Sequence, residues 1–165
     1  EVAECYRTAM AMTTHPSAFV LSRQNMATLD RDTYASASLS SKGGYILSDC
    51  EGTPDTILMG SGSELGLCVE AAKALTADGM KVRVVSMPCL DLFADQSTEY
   101  QQQVLPNSVT NRVAVEAGLR MSWDRWLGLD GKFVGMHGYG ASGPYDEVYK
   151  HFNITAEAVT EAAKS

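Results

Sequence analysis

Residues 55–88 predict a strand, a helix and a second strand in succession, and this pattern restricts the possible folds more than any other feature of the chain. The three segments are DTILMGSG (55–62), SELGLCVEAAKALTADG (63–79) and KVRVVSMP (81–88). Short apolar runs are typical of buried strands, and the middle segment has apolar residues at helical spacing. A helix that connects two strands of one sheet forms a right-handed crossover, so we expect the two strands to be parallel.

The ends of the middle helix are marked by residue types that cap helices. Ser63 is the expected N-cap, and Gly79 is the expected residue beyond the last turn, where glycine readily adopts a left-handed conformation. The buried stripe of the helix is predicted at Leu67, Ala71, Ala74 and Leu75.

The same alternation of strands and helices continues over residues 43–165. Further strands are predicted at 45–49, 111–117 and 132–137, and further helices at 97–105, 122–129, 145–152 and 156–164, the last capped by Thr155. We therefore predict the α/β class, with a three-layer α/β/α domain and a mostly parallel sheet of about five strands.

Residues 1–23 have the pattern of an incomplete α/β unit. A helix is predicted at 1–12, and 17–22 predict a short buried strand. Because the chain begins within a helix, we expect it to be an internal segment of a longer protein. Residues 24–42 are rich in Ser, Thr, Ala and Asp and too polar to pack as a layer, which predicts an interdomain linker.

Composition and charge exclude several classes of function. The net charge is −7, and the 13 Lys and Arg residues are scattered along the sequence, so no surface for nucleic acid or an anionic membrane is predicted. No apolar run approaches the length of a transmembrane helix, and the N-terminal residues lack the core of a signal peptide.

Cysteines and histidines do not form a metal-binding pattern. The four cysteines are widely separated without C-x-x-C spacing, and the three histidines do not complete a zinc-ligand set. The favoured interpretation is four buried thiols in a reducing compartment, at Cys5, Cys50, Cys68 and Cys89.

The turn GSGSELG (60–66) resembles part of a dinucleotide-binding motif, since it lies between a strand and a helix N-terminus whose amides can hold an anion. The motif needs a third small residue where this chain has Leu65, and an acidic residue where the next strand ends in SMP (86–88). Glu64 would also repel a phosphate. A tight turn without a nucleotide is therefore favoured.

A glycine-rich loop, HGYGASGPY (137–145), follows a predicted strand at the edge where open α/β sheets bind ligands. A ligand or interface role and a simple turn remain equally open, and His137 and Tyr139 would supply the chemical groups. Other candidates have structural explanations. Cys89 fits a buried or half-buried thiol better than a nucleophile, and His151 fits a surface position.

Trp123 and Trp126 are three positions apart, which places them on one side of a helix. We expect them to lie in the core or at a subunit contact, and not to form a stacking platform for a ligand.

Arg23 directly follows the apolar run AFVLS (18–22). It is therefore expected at the carboxyl end of a strand, where α/β folds collect substrate-binding groups, and its planar fork suits phosphate or carboxylate. The alternative is an arginine that pairs with an acid and holds the linker. Its position alone favours the functional interpretation only slightly.

Seven segments of the chain, taken in order, resemble the transketolases, which use thiamine diphosphate to transfer two-carbon ketol units between sugar phosphates. They are LSRQN (21–25), GSGSELGLCVEAAKAL (60–75), KVRVVSMPCLDLF (81–93), VLP (104–106), VAVEAG (113–118), MSWDRWLGLDG (121–131) and GASGP (140–144). The resemblance extends over almost the whole chain.

The resemblance implies that residues 1–23 end the pyrimidine-binding domain, 24–42 form the linker and 43–165 form the C-terminal domain of a transketolase. It also implies that Arg23 contacts the phosphate of the sugar substrate. No catalytic, cofactor-binding or metal-binding residue is implied within this chain, so the segment alone is expected to be inactive and to bind neither thiamine diphosphate nor its Mg²⁺ or Ca²⁺ ion.

The partners implied by the resemblance are sugar phosphates, the remaining transketolase domains and a second subunit of a homodimer. The implied pathways are the pentose phosphate pathway and the Calvin cycle, in the cytoplasm or the plastid stroma. Two alternatives remain. One is a regulatory α/β module that holds a nucleotide or another anion at residues 60–63, and the other is a domain that only completes a dimer through the tryptophan helix or the glycine-rich loop.

Overall fold

The computed structural model describes all 165 residues and contains one five-stranded sheet with the strand order β1-β3-β2-β4-β5. The strands are β1 (Tyr45–Ser48), β2 (Thr56–Gly60), β3 (Val82–Ser86), β4 (Arg112–Leu119) and β5 (Lys132–Met136). Strand β1 pairs with β3 in antiparallel orientation, and the other three pairings are parallel. The mostly parallel five-stranded sheet predicted from the sequence is confirmed.

Seven α-helices accompany the sheet. They are α1 (Val2–Ala11), α2 (Leu65–Ala77), α3 (Leu90–Ala94), α4 (Thr98–Val104), α5 (Asp124–Leu127), α6 (Tyr145–His151) and α7 (Ala156–Lys164). The short helix α3 was not predicted. Helix α5 is shorter than predicted because Gly128 follows it with a φ of 73°, outside the helical region. None of these helices has the length and apolar character that crossing a membrane would need.

Helices cover both faces of the sheet. Neighbouring residues of each central strand point to opposite sides, so each strand contributes to a core on both faces. In β2, Leu58 packs into a core cluster with residues of α2 and α7, whereas Ile57 and Met59 pack into a second cluster with Phe93 of α3 and Trp126 of α5. The fold is thus the predicted three-layer α/β/α arrangement.

The crossover helix α2 differs from its prediction at its first turn. A 3-10 turn at Gly62–Glu64 precedes the helix, and the side chain of Ser63 does not cap it. Gly79 has the expected left-handed conformation, with a φ of 89°. The buried residues of the helix are Leu65, Cys68, Val69, Ala71 and Leu75.

The predicted buried stripe of α2 is therefore only half correct. Ala71 and Leu75 are buried, Leu67 is partly buried and Ala74 is exposed. The thiols also differ from expectation, since only Cys68 is buried and the other three cysteines are partly exposed.

The strand predicted at 17–22 is wrong. These residues form no strand, and Val20 is 97% exposed. The physical reason is that no strand of the sheet pairs with this segment, so its apolar side chains have no layer to cover. Phe19 instead stacks on Tyr6 of α1, with ring centroids 4.3 Å apart.

The segment 24–42 is irregular, as expected, but part of it packs on the domain. Leu29, Tyr34 and Ala35 contact the core cluster of α2 and α7, and the Ala35 amide donates to the Leu47 carbonyl at 3.0 Å. The segment ends in a 3-10 helix at Ala37–Lys42. It forms no layer of its own, and its contacts with the core come from the few apolar residues interspersed among its polar ones.

Candidate functional site

The N-terminal segment crosses the carboxyl edge of the parallel strands and is attached there at two places. At the first, a carboxylate oxygen of Glu1 accepts hydrogen bonds from the Tyr45 hydroxyl at 2.6 Å and from the Ser86 hydroxyl at 2.5 Å. Ser86 is the last residue of β3. This contact places the start of α1 over that end of the sheet.

The second attachment brackets Arg23. The Ser22 hydroxyl donates to the Ser63 hydroxyl at 3.2 Å, and the Gln24 side-chain amide donates to the Tyr149 hydroxyl at 3.4 Å. Ser63 lies in the turn after β2, and Tyr149 belongs to α6. Arg23 is therefore held next to the carboxyl edge of the sheet by both of its sequence neighbours.

The guanidinium of Arg23 is exposed and forms no hydrogen bond or ion pair within the chain. By contrast, Arg83 and Arg112 have their donors occupied by protein acceptors. The alternative in which Arg23 pairs with an acid does not match this arrangement. The sequence prediction placed Arg23 at the carboxyl end of a strand at 17–22, which does not form; Arg23 lies instead beside the carboxyl edge of β2 and its neighbours.

Glu64 connects the two residues that hold the Arg23 segment. Its Oε1 accepts from the Tyr149 hydroxyl at 2.5 Å, and its Oε2 accepts from the Ser63 hydroxyl at 3.1 Å. Glu64 is only 5% exposed. Burial, together with the bond to Glu64, raises the pKa of the Tyr149 phenol. Tyr149 was not predicted from the sequence. It lies 85 positions from Glu64, and a contact over that distance leaves no local sequence pattern.

A second carboxylate lies beside the turn after β2. Glu116 of β4 accepts from the Ser61 hydroxyl at 2.9 Å, and burial, followed by the negative charge of Glu64, raises the pKa of its carboxyl. Two carboxylates beside one turn disfavour an anion there. The arrangement argues against the alternative of a nucleotide-binding or anion-binding module at residues 60–63.

The glycines of this turn have steric roles. A side chain at Gly60 would lie 3.1 Å from the Cys68 sulfur and 3.2 Å from the Leu65 amide nitrogen, so glycine permits close packing of β2 on α2. Gly62 has a φ of 51°, which glycine adopts without strain. The sequence interpretation of a tight turn is consistent with both positions.

The glycine-rich loop 137–145 borders a mostly apolar cavity of about 300 Å³. Its lining includes Gly138, Gly140, Val148, Tyr149 and Phe152. His137 and Tyr139 are exposed and are not part of this lining. His137 forms no ion pair with a carboxylate in the structure.

The remaining candidates occupy the structural positions expected of them. Trp123 and Trp126 are buried in the core cluster, so the tryptophan helix does not present these rings to a second subunit. Cys89 is partly exposed, and His151 is exposed on α6.

No group of three or more His, Cys, Asp or Glu residues in the chain could hold a metal ion.

The fold and the site define an α/β/α domain with a mostly parallel sheet and an unpaired arginine at the carboxyl edge. Residues 43–155 match the family model described as the transketolase-like TK C-terminal domain. The chain belongs to this family.

Curated transketolases are similar over nearly the whole chain. Transketolase 2 of Aliivibrio fischeri is 47% identical over 164 residues, which are 99% of this chain and 25% of that protein. The chloroplastic transketolase of Solanum tuberosum is 47% identical over 166 residues, which are 99% of this chain and 22% of that protein. The chain thus spans about a quarter of the length of the curated relatives it matches.

Solved transketolase structures have the same fold. A mutant transketolase from Pichia stipitis superimposes with a TM-score of 0.88 at 34% identity, covering 98% of this chain and 23% of that one. The Pichia stipitis enzyme in complex with sedoheptulose 7-phosphate gives a TM-score of 0.76 at 37% identity, covering 86% of this chain and 20% of that one.

Proposed function

We propose that this chain works as the C-terminal part of a transketolase, an enzyme that transfers a two-carbon ketol unit between sugar phosphates, and that Arg23 binds the substrate phosphate. The observation that carries the proposal is the unpaired, exposed guanidinium of Arg23, which is held at the carboxyl edge of the sheet by the bonds of Ser22 and Gln24. The similarity to a transketolase solved with a sugar phosphate supports it.

The chemistry of arginine fits this task. A phosphate dianion accepts two parallel hydrogen bonds from one planar guanidinium, which fixes the orientation of the sugar as well as its charged end. Binding energy at the phosphate can orient the reacting carbon atoms at the other end of the sugar. The role of Arg23 is thus to bind and orient, without chemical participation.

The carbanion chemistry of the reaction would come from thiamine diphosphate with Mg²⁺ or Ca²⁺. We assign both to parts of the enzyme outside this chain, whose residues do not fit a metal site. Segment 1–23 would end the pyrimidine-binding domain, 24–42 would form the linker and 43–165 the C-terminal domain.

The assembly and location of the enzyme follow from the same proposal. The other transketolase domains and a second subunit of a homodimer are the proposed partners, and the pentose phosphate pathway or the Calvin cycle is the proposed context. The relatives include bacterial and chloroplastic enzymes, which supports the cytoplasm or the plastid stroma as the location.

The test replaces Arg23 in the whole enzyme that carries this chain. A charge-assisted hydrogen bond contributes roughly 1.5 to 3 kcal/mol, so Arg23→Ala should lower kcat/KM for a phosphorylated acceptor about ten- to a hundredfold. The unphosphorylated form of the same sugar should lose little. Arg23→Lys keeps the charge but loses the planar fork. Its kcat/KM for the phosphorylated acceptor should therefore fall between the values of the wild type and of Arg23→Ala.

Arg7→Ala is the matched control, since Arg7 is also an exposed arginine of the N-terminal segment and is paired with Glu4. It should leave both values of kcat/KM unchanged. If Arg23→Ala lowers kcat/KM equally for both sugars, Arg23 supports the structure and does not bind the phosphate.

A further inference from the structure

We infer that Glu64 and Tyr149 are positioning residues, which fix the backbone on both sides of Arg23 so that its guanidinium is presented to the substrate phosphate. The inference rests on the phosphate-binding role proposed for Arg23. It assigns a task in substrate binding to two residues of the C-terminal domain that lie far from Arg23 in the sequence.

Two hydroxyl groups donate to the carboxylate of Glu64. The Tyr149 hydroxyl donates its proton to Oε1, and the Ser63 hydroxyl donates its proton to Oε2. The two hydroxyl oxygens also lie 3.3 Å apart. Both hydroxyl protons are donated to Glu64, so Ser63 and Tyr149 do not donate to each other. Each hydroxyl oxygen can therefore accept a hydrogen bond from another donor.

Those donors come from the residues on either side of Arg23. The Ser63 oxygen accepts the hydroxyl proton of Ser22, and the Tyr149 oxygen accepts from the side-chain amide of Gln24. Glu64 therefore turns two hydroxyl groups into acceptors that face the neighbours of Arg23. The result is a continuous network from Ser22 through Ser63, Glu64 and Tyr149 to Gln24, with Arg23 between its two ends.

No backbone–backbone hydrogen bond involves residues 22–24. Arg23 lies in an exposed segment without helix or strand structure, and its own side chain has no partner in the chain. Without the network, the backbone that carries Arg23 would have to be ordered at the moment of binding, which costs affinity. The network orders the backbone in advance and leaves the guanidinium free.

Gly62 lies beside this network. A side chain at this position would lie at ordinary contact distance, 3.4 Å from the Ser22 hydroxyl and 4.0 Å from Oε2 of Glu64, so glycine is favoured here by its φ of 51° and not by a lack of space. The distances at the two ends of the network, 3.2 and 3.4 Å, are long for hydrogen bonds. Each bond should therefore contribute less than the phosphate contact itself.

The experiment compares Tyr149→Phe with Tyr145→Phe in the whole transketolase. Both changes remove one hydroxyl from α6, and the Tyr145 hydroxyl makes no hydrogen bond in the structure. We expect Tyr149→Phe to lower kcat/KM for a phosphorylated acceptor about three- to tenfold, mainly through KM, and to leave the unphosphorylated acceptor unchanged. Tyr145→Phe should change neither.

A double-mutant cycle separates this inference from the proposed function. If Tyr149 acts through Arg23, then Tyr149→Phe should cause no further loss in an Arg23→Ala background. If Arg23→Ala itself spares the phosphorylated acceptor, the proposed function fails. If Arg23→Ala discriminates between the two acceptors but Tyr149→Phe does not, the proposed function stands and the positioning role is overturned.

A loss of folded protein would also lower activity, so thermal unfolding of each variant is measured alongside. Should Tyr149→Phe fold poorly, Gln24→Ala removes the same contact from an irregular surface segment. It should give the same selective loss of the phosphorylated acceptor. An equal loss for both acceptors, or no loss for either, contradicts the inference.

Discussion

The guanidinium of Arg83 and the carboxylate of Asp49 form a two-pronged ion pair, in which Nε donates to Oδ1 at 2.9 Å and Nη2 donates to Oδ2 at 2.8 Å. The third nitrogen of Arg83 donates to the carbonyls of Gln103 and Val104 at the end of α4. The buried side chain of Arg83 in β3 thus joins Asp49, which follows β1, to the end of helix α4.

Replacing Asp49 by alanine should destabilise the domain, because Arg83 would keep its charge in a buried position and lose its carboxylate. We expect Asp49→Ala to lower the free energy of unfolding by about 1.5 to 3 kcal/mol, measured by urea denaturation. Asp78→Ala is the matched control, since Asp78 and Lys164 form an exposed pair and should contribute about 1 kcal/mol or less. Equal losses in the two variants would contradict the prediction.

Arg112 of β4 is buried without a carboxylate partner. Its guanidinium donates to the carbonyls of Val109 at 2.9 Å, Trp126 at 2.7 Å, Leu105 at 3.1 Å and Pro106 at 2.9 Å. Burial lowers the pKa of this group. One side chain therefore satisfies backbone carbonyls of the loop after α4 and of helix α5.

Lysine cannot reproduce this arrangement, because an ammonium group lacks the planar fork of five donors. We expect Arg112→Lys to lower the free energy of unfolding by roughly 2 to 4 kcal/mol, through carbonyls left without donors and a buried charge with fewer partners. Arg120→Lys, at an exposed arginine paired with Asp124, should change it by about 0.5 kcal/mol or less. A loss at Arg112 no larger than this control would show that water replaces the guanidinium.

The sheet could be predicted from the sequence because each central strand is a short apolar run next to a helix with its own periodicity. The parallel pairing of β2 and β3 follows from that local pattern. The strand predicted at 17–22 failed for the opposite reason. Its apolar run is as clear as that of β2. A strand, however, forms only where another strand can pair with it, and an apolar run by itself does not show whether such a partner is present.

The candidate site was predictable only at Arg23. A lone arginine after an apolar run is visible in the sequence, whereas the bonds that hold it join residues 41 and 125 positions apart. Glu64 was recognised from the sequence as a residue that would repel an anion near the helix terminus. Its hydrogen bonds to Ser63 and Tyr149 depend on how α6 packs, which periodicity does not specify.

Gly43 connects the 3-10 helix at Ala37–Lys42 to β1 with a φ of 79°. A side chain there would lie 2.3 Å from the Phe93 amide nitrogen and 2.5 Å from the Cys89 carbonyl oxygen. Both are backbone atoms that cannot rotate away. We therefore expect Gly43→Ala to lower the free energy of unfolding by about 3 kcal/mol or more.

Gly79→Ala is the control that distinguishes backbone strain from steric overlap. Gly79 also has a left-handed φ, of 89°, but a side chain there would meet no atom within 4 Å. Its replacement should cost only about 1 to 2 kcal/mol in thermal or urea unfolding. If the two variants are equally stable, the close approach of the backbone at Gly43 is not maintained in solution.

The raised pKa of Glu116 predicts a pH dependence of stability. Burial is the larger cause and the charge of Glu64 the second, so the folded protein binds the proton more tightly than the unfolded chain. The stability that this proton contributes is fully present below the ordinary pKa of 4.5 and is lost as the pH rises through the folded pKa. At neutral pH, the ionised carboxylate is therefore a cost to the fold.

Glu116→Gln should remove that cost, because the amide oxygen can still accept from the Ser61 hydroxyl but carries no charge. The free energy of unfolding of the variant should exceed that of the wild type at neutral pH, and the two should converge below the ordinary pKa of 4.5. Urea denaturation at a series of pH values measures the difference directly, with Glu70→Gln as the control at an exposed carboxylate. If the curves of Glu116→Gln and wild type run parallel from acid to neutral pH, the carboxyl of Glu116 titrates alike in the folded and unfolded states, and its environment at the edge of β4 is more hydrated than its burial indicates.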